Sequence, residues 1–246
     1  PFIGAWTKKY LNFPLRMKYD TVCKRYYCNY PVLHGKKRLY YSNQISKNQA
    51  RVKINKLRME QDRLSPHRYL NRHVIKHIIN MRGTVLDLGS AEGNFALSIV
   101  DFADKVYCFD PDKEWIQAMK CTFSGYGDKV HYGEYFISDH GSRHNKIISL
   151  DEFFEGGGGI PSDVSLIKMD IEGYEQQAVC GMKKLLKANP RAILLICVYH
   201  QSRAEKEIRN LLESSGYQII ARKGKMFFQK DAENGYGFRF LRRGVL

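Results

Sequence analysis

Beyond Gly83 the apolar residues of this chain fall into two alternating rhythms. Short, mostly apolar runs, the pattern of buried strands, occupy Thr84–Leu88, Val106–Phe109, Val130–Ile137, Val164–Met169, Ala192–Tyr199, Tyr217–Ala221 and Met226–Gln229. Phe238–Leu241 is a further candidate. Between them, apolar residues recur every three or four positions over Asn94–Phe102, Asp112–Thr122, Glu175–Lys187 and Ala204–Ser214. In the third of these, Ala178, Val179, Met182, Leu185 and Leu186 share one face. Strands alternating with helices predict an α/β fold: a doubly wound, mostly parallel, seven-stranded sheet covered on both sides. The last strands have short links and predict an antiparallel hairpin at one edge.

Before Gly83 the rhythm is weaker. Ser65-Pro66 predicts a cap and first-turn proline for a helix in which Tyr69, Leu70, His73, Val74, His77 and Ile78 recur. Residues 1–60 sustain no period, and Pro14, Pro31 and Gly35 divide them into short pieces. The expected division is an extension over 1–62 and a domain over 63–246. No apolar run approaches the roughly 20 residues needed to cross a bilayer.

Composition changes this picture in one respect. At 43% hydrophobic and 26% charged, the 246 residues exclude wholesale disorder, a collagen-like chain and a coiled-coil rod. The net charge of +15 sits in residues 1–82, which hold 19 Lys/Arg against three Asp/Glu and eight of the 16 tyrosines. Basic residues interleaved with rings suit a nucleic acid, an anionic membrane surface, or a solvated face packed on the domain. Six cysteines form no dense framework, so a reducing, cytoplasmic setting is expected. Cys23 and Cys28 are spaced for a disulfide, or with His34 for half of a zinc site whose second half is missing.

The chemistry concentrates at strand ends. The first strand runs into Asp87-Leu88-Gly89-Ser90-Ala91-Glu92-Gly93 and then a helix. The second ends at Asp110-Pro111, where a carboxylate suits a ribose diol. This arrangement predicts a nucleoside-containing cofactor. Glu92 at the helix start disfavours pyrophosphate, and with it a nicotinamide dehydrogenase. Further on come Ser138-Asp139, Leu150-Asp151-Glu152-Phe153, Lys168-Met169-Asp170-Ile171-Glu172-Gly173-Tyr174-Glu175, and His200 at the end of the fifth strand.

This order, over about residues 60–222, resembles the FkbM family of S-adenosylmethionine-dependent methyltransferases, Rossmann-like class I enzymes. The Lys-x-Asp-x-Glu-Gly-x-Glu stretch is its most specific element. The resemblance implies that Gly89, Ser90 and Ala91, with Asp87, Glu92 and Gly93 around them, hold the methionine end of the cofactor. It implies that Asp110 binds the ribose, with Pro111 shaping the turn, and that Ser138 and Asp139 lie near the adenine. Asp170, Glu172 and His200 then face the acceptor. The family commonly methylates hydroxyls of sugars or natural products, which implies O-methylation. His200 is the first candidate for general base and Asp170 the second.

Each residue has a plainer alternative. Asp170 suits a helix N-cap, and Glu172 and Glu175 suit the first turn of a helix. His200 suits an ordinary strand end, and Asp87 suits a buried organiser of the glycine loop. His67 and Arg68 fit a surface as well as a site, and Gly156–Gly159 reads as a linker. An alternative role for Asp170 and Glu172 is to bind a divalent cation that lowers the hydroxyl pKa; two carboxylates do not make a metal site, and no metal is assigned. Two other functions stand beside glycan or metabolite O-methylation: an RNA methyltransferase using the basic segment, and a cofactor-binding module without catalysis.

Overall fold

The computed structural model describes residues 15–62, 65, 67–198, 200, 204–220, 225–229 and 238–242. In chain order the strands are β1 (Lys18–Asp20), β2 (Arg25–Pro31), β3 (Lys36–Tyr40), β4 (Thr84–Leu88), β5 (Lys105–Phe109), β6 (Val130–Gly133), β7 (Phe136–Ile137), β8 (Ile147–Ile148), β9 (Val164–Met169), β10 (Ile193–Ile196), β11 (Lys225–Gln229) and β12 (Phe238–Arg242). The helices are α1 (Lys47–Glu60), α2 (Arg72–Ile79), α3 (Asn94–Ile99), α4 (Lys113–Thr122), α5 (Leu150–Gly156), α6 (Glu175–Cys180), α7 (Lys183–Ala188) and α8 (Ala204–Ser214). They fall into two compact units. One holds the described residues up to Met81 with Ser90–Glu134, and the other holds Arg82–Gly89 with those from Tyr135 onward.

In the first unit, β1, β2 and β3 form an antiparallel sheet with Lys18 opposite Tyr27 and Tyr27 opposite Tyr40. The described part of the basic segment is packed within this unit. The Tyr40 amide donates to Thr122 Oγ1 on α4 at 3.1 Å, and buried Arg25 pairs with Glu114 at 3.2 Å. Tyr30, Tyr40, Tyr41 and Tyr69 are buried, which takes four rings of the segment out of reach of a stacking ligand. Helix α1 departs from the expectation of short pieces. Only Ala50, Ile54 and Leu57 are buried on it, too thin a stripe to mark a helix among polar neighbours. Ser46 and Gln49 start it with reciprocal side-chain-to-backbone bonds. The next helix begins later than Ser65: Asn71 caps α2 by accepting from the amides of His73 and Val74, and Pro66 lies outside the described residues. His67 is buried, its Nε2 3.2 Å from the Tyr69 hydroxyl. All six cysteines are free thiols and His34 packs on the Phe102 ring, so neither the disulfide nor the zinc half-site is formed. Strands β5 and β6 run parallel, with Val106 opposite Val130.

In the second unit, β10, β9 and β4 run parallel in that order, with Ile193 opposite Leu166 and Leu86 opposite Ile167. Among the described residues the parallel strands longer than two residues number five, these three and, in the first unit, β5 and β6. Seven were expected. Residues 217–220 form no strand, and β11 with β12, though antiparallel as expected, make a two-stranded sheet of their own instead of an edge. The expected strand Val130–Ile137 stops at Gly133 and resumes as β7, which pairs with β8. The helix expected over Glu175–Lys187 is broken into α6 and α7. The break falls at Gly181, where a Cβ would lie 2.0 Å from the Ser138 carbonyl oxygen. Among the described residues no helix is long and apolar enough to cross a membrane.

The Leu150–Phe153 motif builds fold. Ser149 and Glu152 form a reciprocal cap at the start of α5. Asp151 reaches forward and accepts from the amides of Lys184 and Leu185, both at 2.9 Å, closing the N-terminal turn of α7. Asp151→Ala is expected to lose about 1 kcal/mol of stability, the usual worth of a helix cap, with cofactor affinity unchanged. Urea unfolding alongside a binding titration checks both halves.

Candidate active site

The candidate residues gather in two groups, one in each unit. In the first unit the loop after Gly89 folds back on the end of β5. The Ser90 amide donates to the Phe109 carbonyl at 3.0 Å, and the Gly93 amide to the Ser90 carbonyl at 2.7 Å. Ala91 takes a left-handed conformation, φ 46°, which turns its amide onto Asp110 Oδ2 at 2.9 Å. Asp110 Oδ1 accepts from the Asp112 amide, also at 2.9 Å, on the far side of Pro111. The buried Asp110 carboxylate thus ties the glycine loop to the start of α4. Gly93 caps α3 at φ 81°, and a Cβ there would press within 3.0–3.2 Å of Met119 and Phe123. Glu92, beside it, is partly exposed, and its charge helps raise the Tyr30 and Tyr41 hydroxyl pKa values.

In the second unit the ends of β4 and β9 are locked together. The Asp170 amide donates to the Leu88 carbonyl at 3.1 Å. Gly89, at φ 72°, comes so close that a Cβ would lie 2.0 Å from the Asp170 carbonyl oxygen. Gly89→Ala is expected to cost at least about 2 kcal/mol, from left-handed strain plus the clash. A drop of only a few tenths in the unfolding free energy would contradict it.

Lys168 opens the most specific stretch of the sequence but is given no role by it. Its chain is buried, and Nζ donates to the Leu88 and Gly89 carbonyls at 3.2 and 2.6 Å while pairing with Asp87 Oδ1 at 3.0 Å. Burial alone would push its pKa down, but the charges of Asp87 and Asp170 lift it above the ordinary lysine value. Asp87, fully buried, is therefore half of the ion pair that holds the Gly89 turn. The signal was available: a lysine in an otherwise apolar strand, in register with an aspartate on the neighbouring one.

Past β9 the chain makes a tight loop. Glu172 sits in the left-handed region, φ 55°, and Gly173 follows at φ 102°. Glu175 closes the loop. It is fully buried, and its Oε1 accepts from the amides of Ile171 at 3.1 Å and Gly173 at 3.3 Å. Asp170 caps no helix, because α6 begins after Tyr174. His200 completes the group. Its Nε2 lies 3.5 Å from Asp170 Oδ1 and 3.3 Å from Glu172 Oε2, and its Nδ1 2.8 Å from Glu175 Oε1. Burial would lower the His200 pKa, but hydrogen bonds to Glu172 and Glu175 and the charges of Glu175 and Asp170 raise it to about 10. The bond to His200 holds Glu172 below the usual carboxylate range. Glu175, read from sequence as a first-turn carboxylate, is instead the anchor of both the loop and the imidazole.

Ser138 and Asp139 lie in the same unit. Ser138 is buried, its amide on the Ile148 carbonyl at 3.0 Å. Asp139 is exposed and pairs with His140 at 2.6 Å, a bond that lowers its pKa.

No curated protein matches the chain. Among solved structures, a precorrin 8W decarboxylase from Methanobacterium thermoautotrophicum is 16% identical, covering 70% of this chain and 88% of that one, with a TM-score of 0.42. The precorrin-6y C5,15-methyltransferase of Geobacter metallireducens is 10% identical, with coverages of 72% and 87% and a TM-score of 0.42. The magnesium protoporphyrin IX methyltransferase of Synechocystis is 15% identical, with coverages of 82% and 86% and a TM-score of 0.41. The family model for the methyltransferase FkbM domain matches residues 87–219. That span takes in the glycine loop, Asp110, the Lys168–Glu175 stretch and His200, and covers more than half of the chain, which therefore belongs to the FkbM methyltransferase family.

Proposed function

We propose that the chain transfers a methyl group from S-adenosylmethionine to a hydroxyl oxygen of a glycan or small metabolite. The donor set fits the cofactor. Asp110, buried at the end of β5, brings a two-oxygen carboxylate suited to a ribose diol, and Gly89, Ser90 and Ala91 present small side chains at a strand end. Gly89, Ser90 and Ala91 would hold the methionine end, with Glu92 offering a carboxylate to its amino group. Ser138 and Asp139 would hold the adenine side. Bound there, S-adenosylmethionine supplies an electrophilic methyl on a sulfonium leaving group.

The observation that carries the reading is the cluster of Asp170, Glu172 and His200. An alcohol is a poor nucleophile until its proton leaves, and a base within reach contributes about 10²–10⁴-fold. As the cluster stands, His200 is protonated at neutral pH. That ranks Asp170 ahead of His200 as the proton acceptor, with the imidazolium holding the carboxylate in place. The burial of Tyr30, Tyr40, Tyr41 and Tyr69 favours this reading over an RNA substrate stacked along the basic segment.

The test incubates the chain with S-adenosylmethionine and a panel of polyhydroxylated acceptors, with RNA alongside, and follows S-adenosylhomocysteine release. Methyl ethers on a sugar or metabolite support the reading. Transfer to RNA alone, with the steep salt dependence of phosphate contacts, would replace it.

A further inference from the structure

The Asp170 cluster has more negative charge than acid–base work needs. Three carboxylates, Asp170, Glu172 and Glu175, converge on one imidazole. Lys168, whose charge also reaches Asp170 and Glu172, pairs directly with Asp87. One ligand atom each from Asp170, Glu175 and His200 lie within 4.8 Å of one another. A single ion about 2.0–2.2 Å from each ligand sets opposite ligands roughly 4–4.4 Å apart, so the triad closes on an ion with a shift of less than one ångström.

Glu175 supplies a second, independent observation. Its side chain is fully buried and its Oε1 is committed to the Ile171 and Gly173 amides and to His200. Its Oε2 is also buried and has no hydrogen-bond partner among the described residues. A buried carboxylate oxygen without a donor is expensive. An ion at the triad would satisfy it.

We propose that Asp170, Glu175 and His200 form a binding site for a divalent cation, with Glu172 closing it from the solvent side. Carboxylates with one imidazole, and no thiolate, suit Mn²⁺ and its neighbours better than a structural zinc. The left-handed backbone at Glu172 turns that carboxylate back toward His200 and the same centre. The ion's use rests on the O-methyltransferase reading. An acceptor hydroxyl bound to it would have a lowered pKa, and Asp170 would then act as ligand instead of base.

The probe is Mn²⁺ itself, titrated into the full chain after treatment with a chelator and followed by loss of the free-ion electron paramagnetic resonance signal. The expected result is one equivalent bound, a raised melting temperature, and an affinity at least about tenfold weaker in Asp170→Asn. Glu175→Gln removes the buried charge but also touches the loop, so Asp170→Asn and the exposed Glu172→Gln carry the comparison. Absence of saturable Mn²⁺ binding, or equal affinity in wild type and Asp170→Asn, overturns the site. S-adenosylmethionine is titrated calorimetrically into the same samples. Cofactor binding without Mn²⁺ binding sinks the metal site alone, and Mn²⁺ binding without cofactor binding sinks only the methyltransferase reading of the cluster.

Discussion

Lys168→Met destabilises the chain by about 3–5 kcal/mol, the loss that follows when one partner of a buried ion pair is removed. Three bonds disappear at once, to the Leu88 and Gly89 carbonyls and to Asp87, and the fully buried Asp87 charge is left uncompensated. Substituting Asp87→Asn in the same chain removes that stranded charge, so the double variant should recover a large part of the loss. Urea unfolding of wild type, both single variants and the double variant measures this coupling. A single-variant loss below about 1 kcal/mol, or strictly additive effects, would show that the pair holds nothing together. The Gly89 turn is pinned from both sides, by Lys168 and by Asp170, so Lys168→Met should weaken cofactor binding as well as stability.

Asp110→Ala weakens S-adenosylmethionine binding by about a hundredfold or more. Hydrogen bonds to a charged group contribute roughly 1.5–3 kcal/mol each, and a ribose diol would make two. The same variant also frees the Ala91 and Asp112 amides, so Asp110→Asn is the informative partner. It keeps one acceptor oxygen and should fall between the two. Calorimetric titration of the three proteins decides the matter, and equal affinity in wild type and Asp110→Ala would falsify the ribose assignment.

Much of the domain was legible because its strands are largely buried and read as mostly apolar runs. β4, β5 and β9 fall where those runs lie, and the Asp87–Gly93 turn follows β4 directly. The misses have particular causes. Helix α1 shows three buried residues in fourteen, and its stability comes from its cap and packing. The continuous apolar face from Ala178 to Leu186 concealed the break at Gly181, which packs against Ser138, some forty residues earlier. At the site, residue types marked Asp170, Glu172 and His200. Lys168 and Glu175 were passed over because each sits in a motif whose neighbours look more reactive. Burial separates them from those neighbours: Lys168 and Glu175 are sealed from solvent, while Glu172 is exposed.

The role of the Leu150–Phe153 motif bears on how relatives are sorted. Glu152 fastens the start of α5, and Asp151 fastens the start of α7 across more than thirty residues. Selection for folding alone keeps such a motif, whether or not the protein turns over. A pseudoenzyme that has stopped transferring methyl groups would therefore still carry it, and would still be counted among the enzymes by any search that weights it. Divergence at Asp170, Glu172 and His200, the residues proposed to face the acceptor, is the better sign that a descendant has taken up other work.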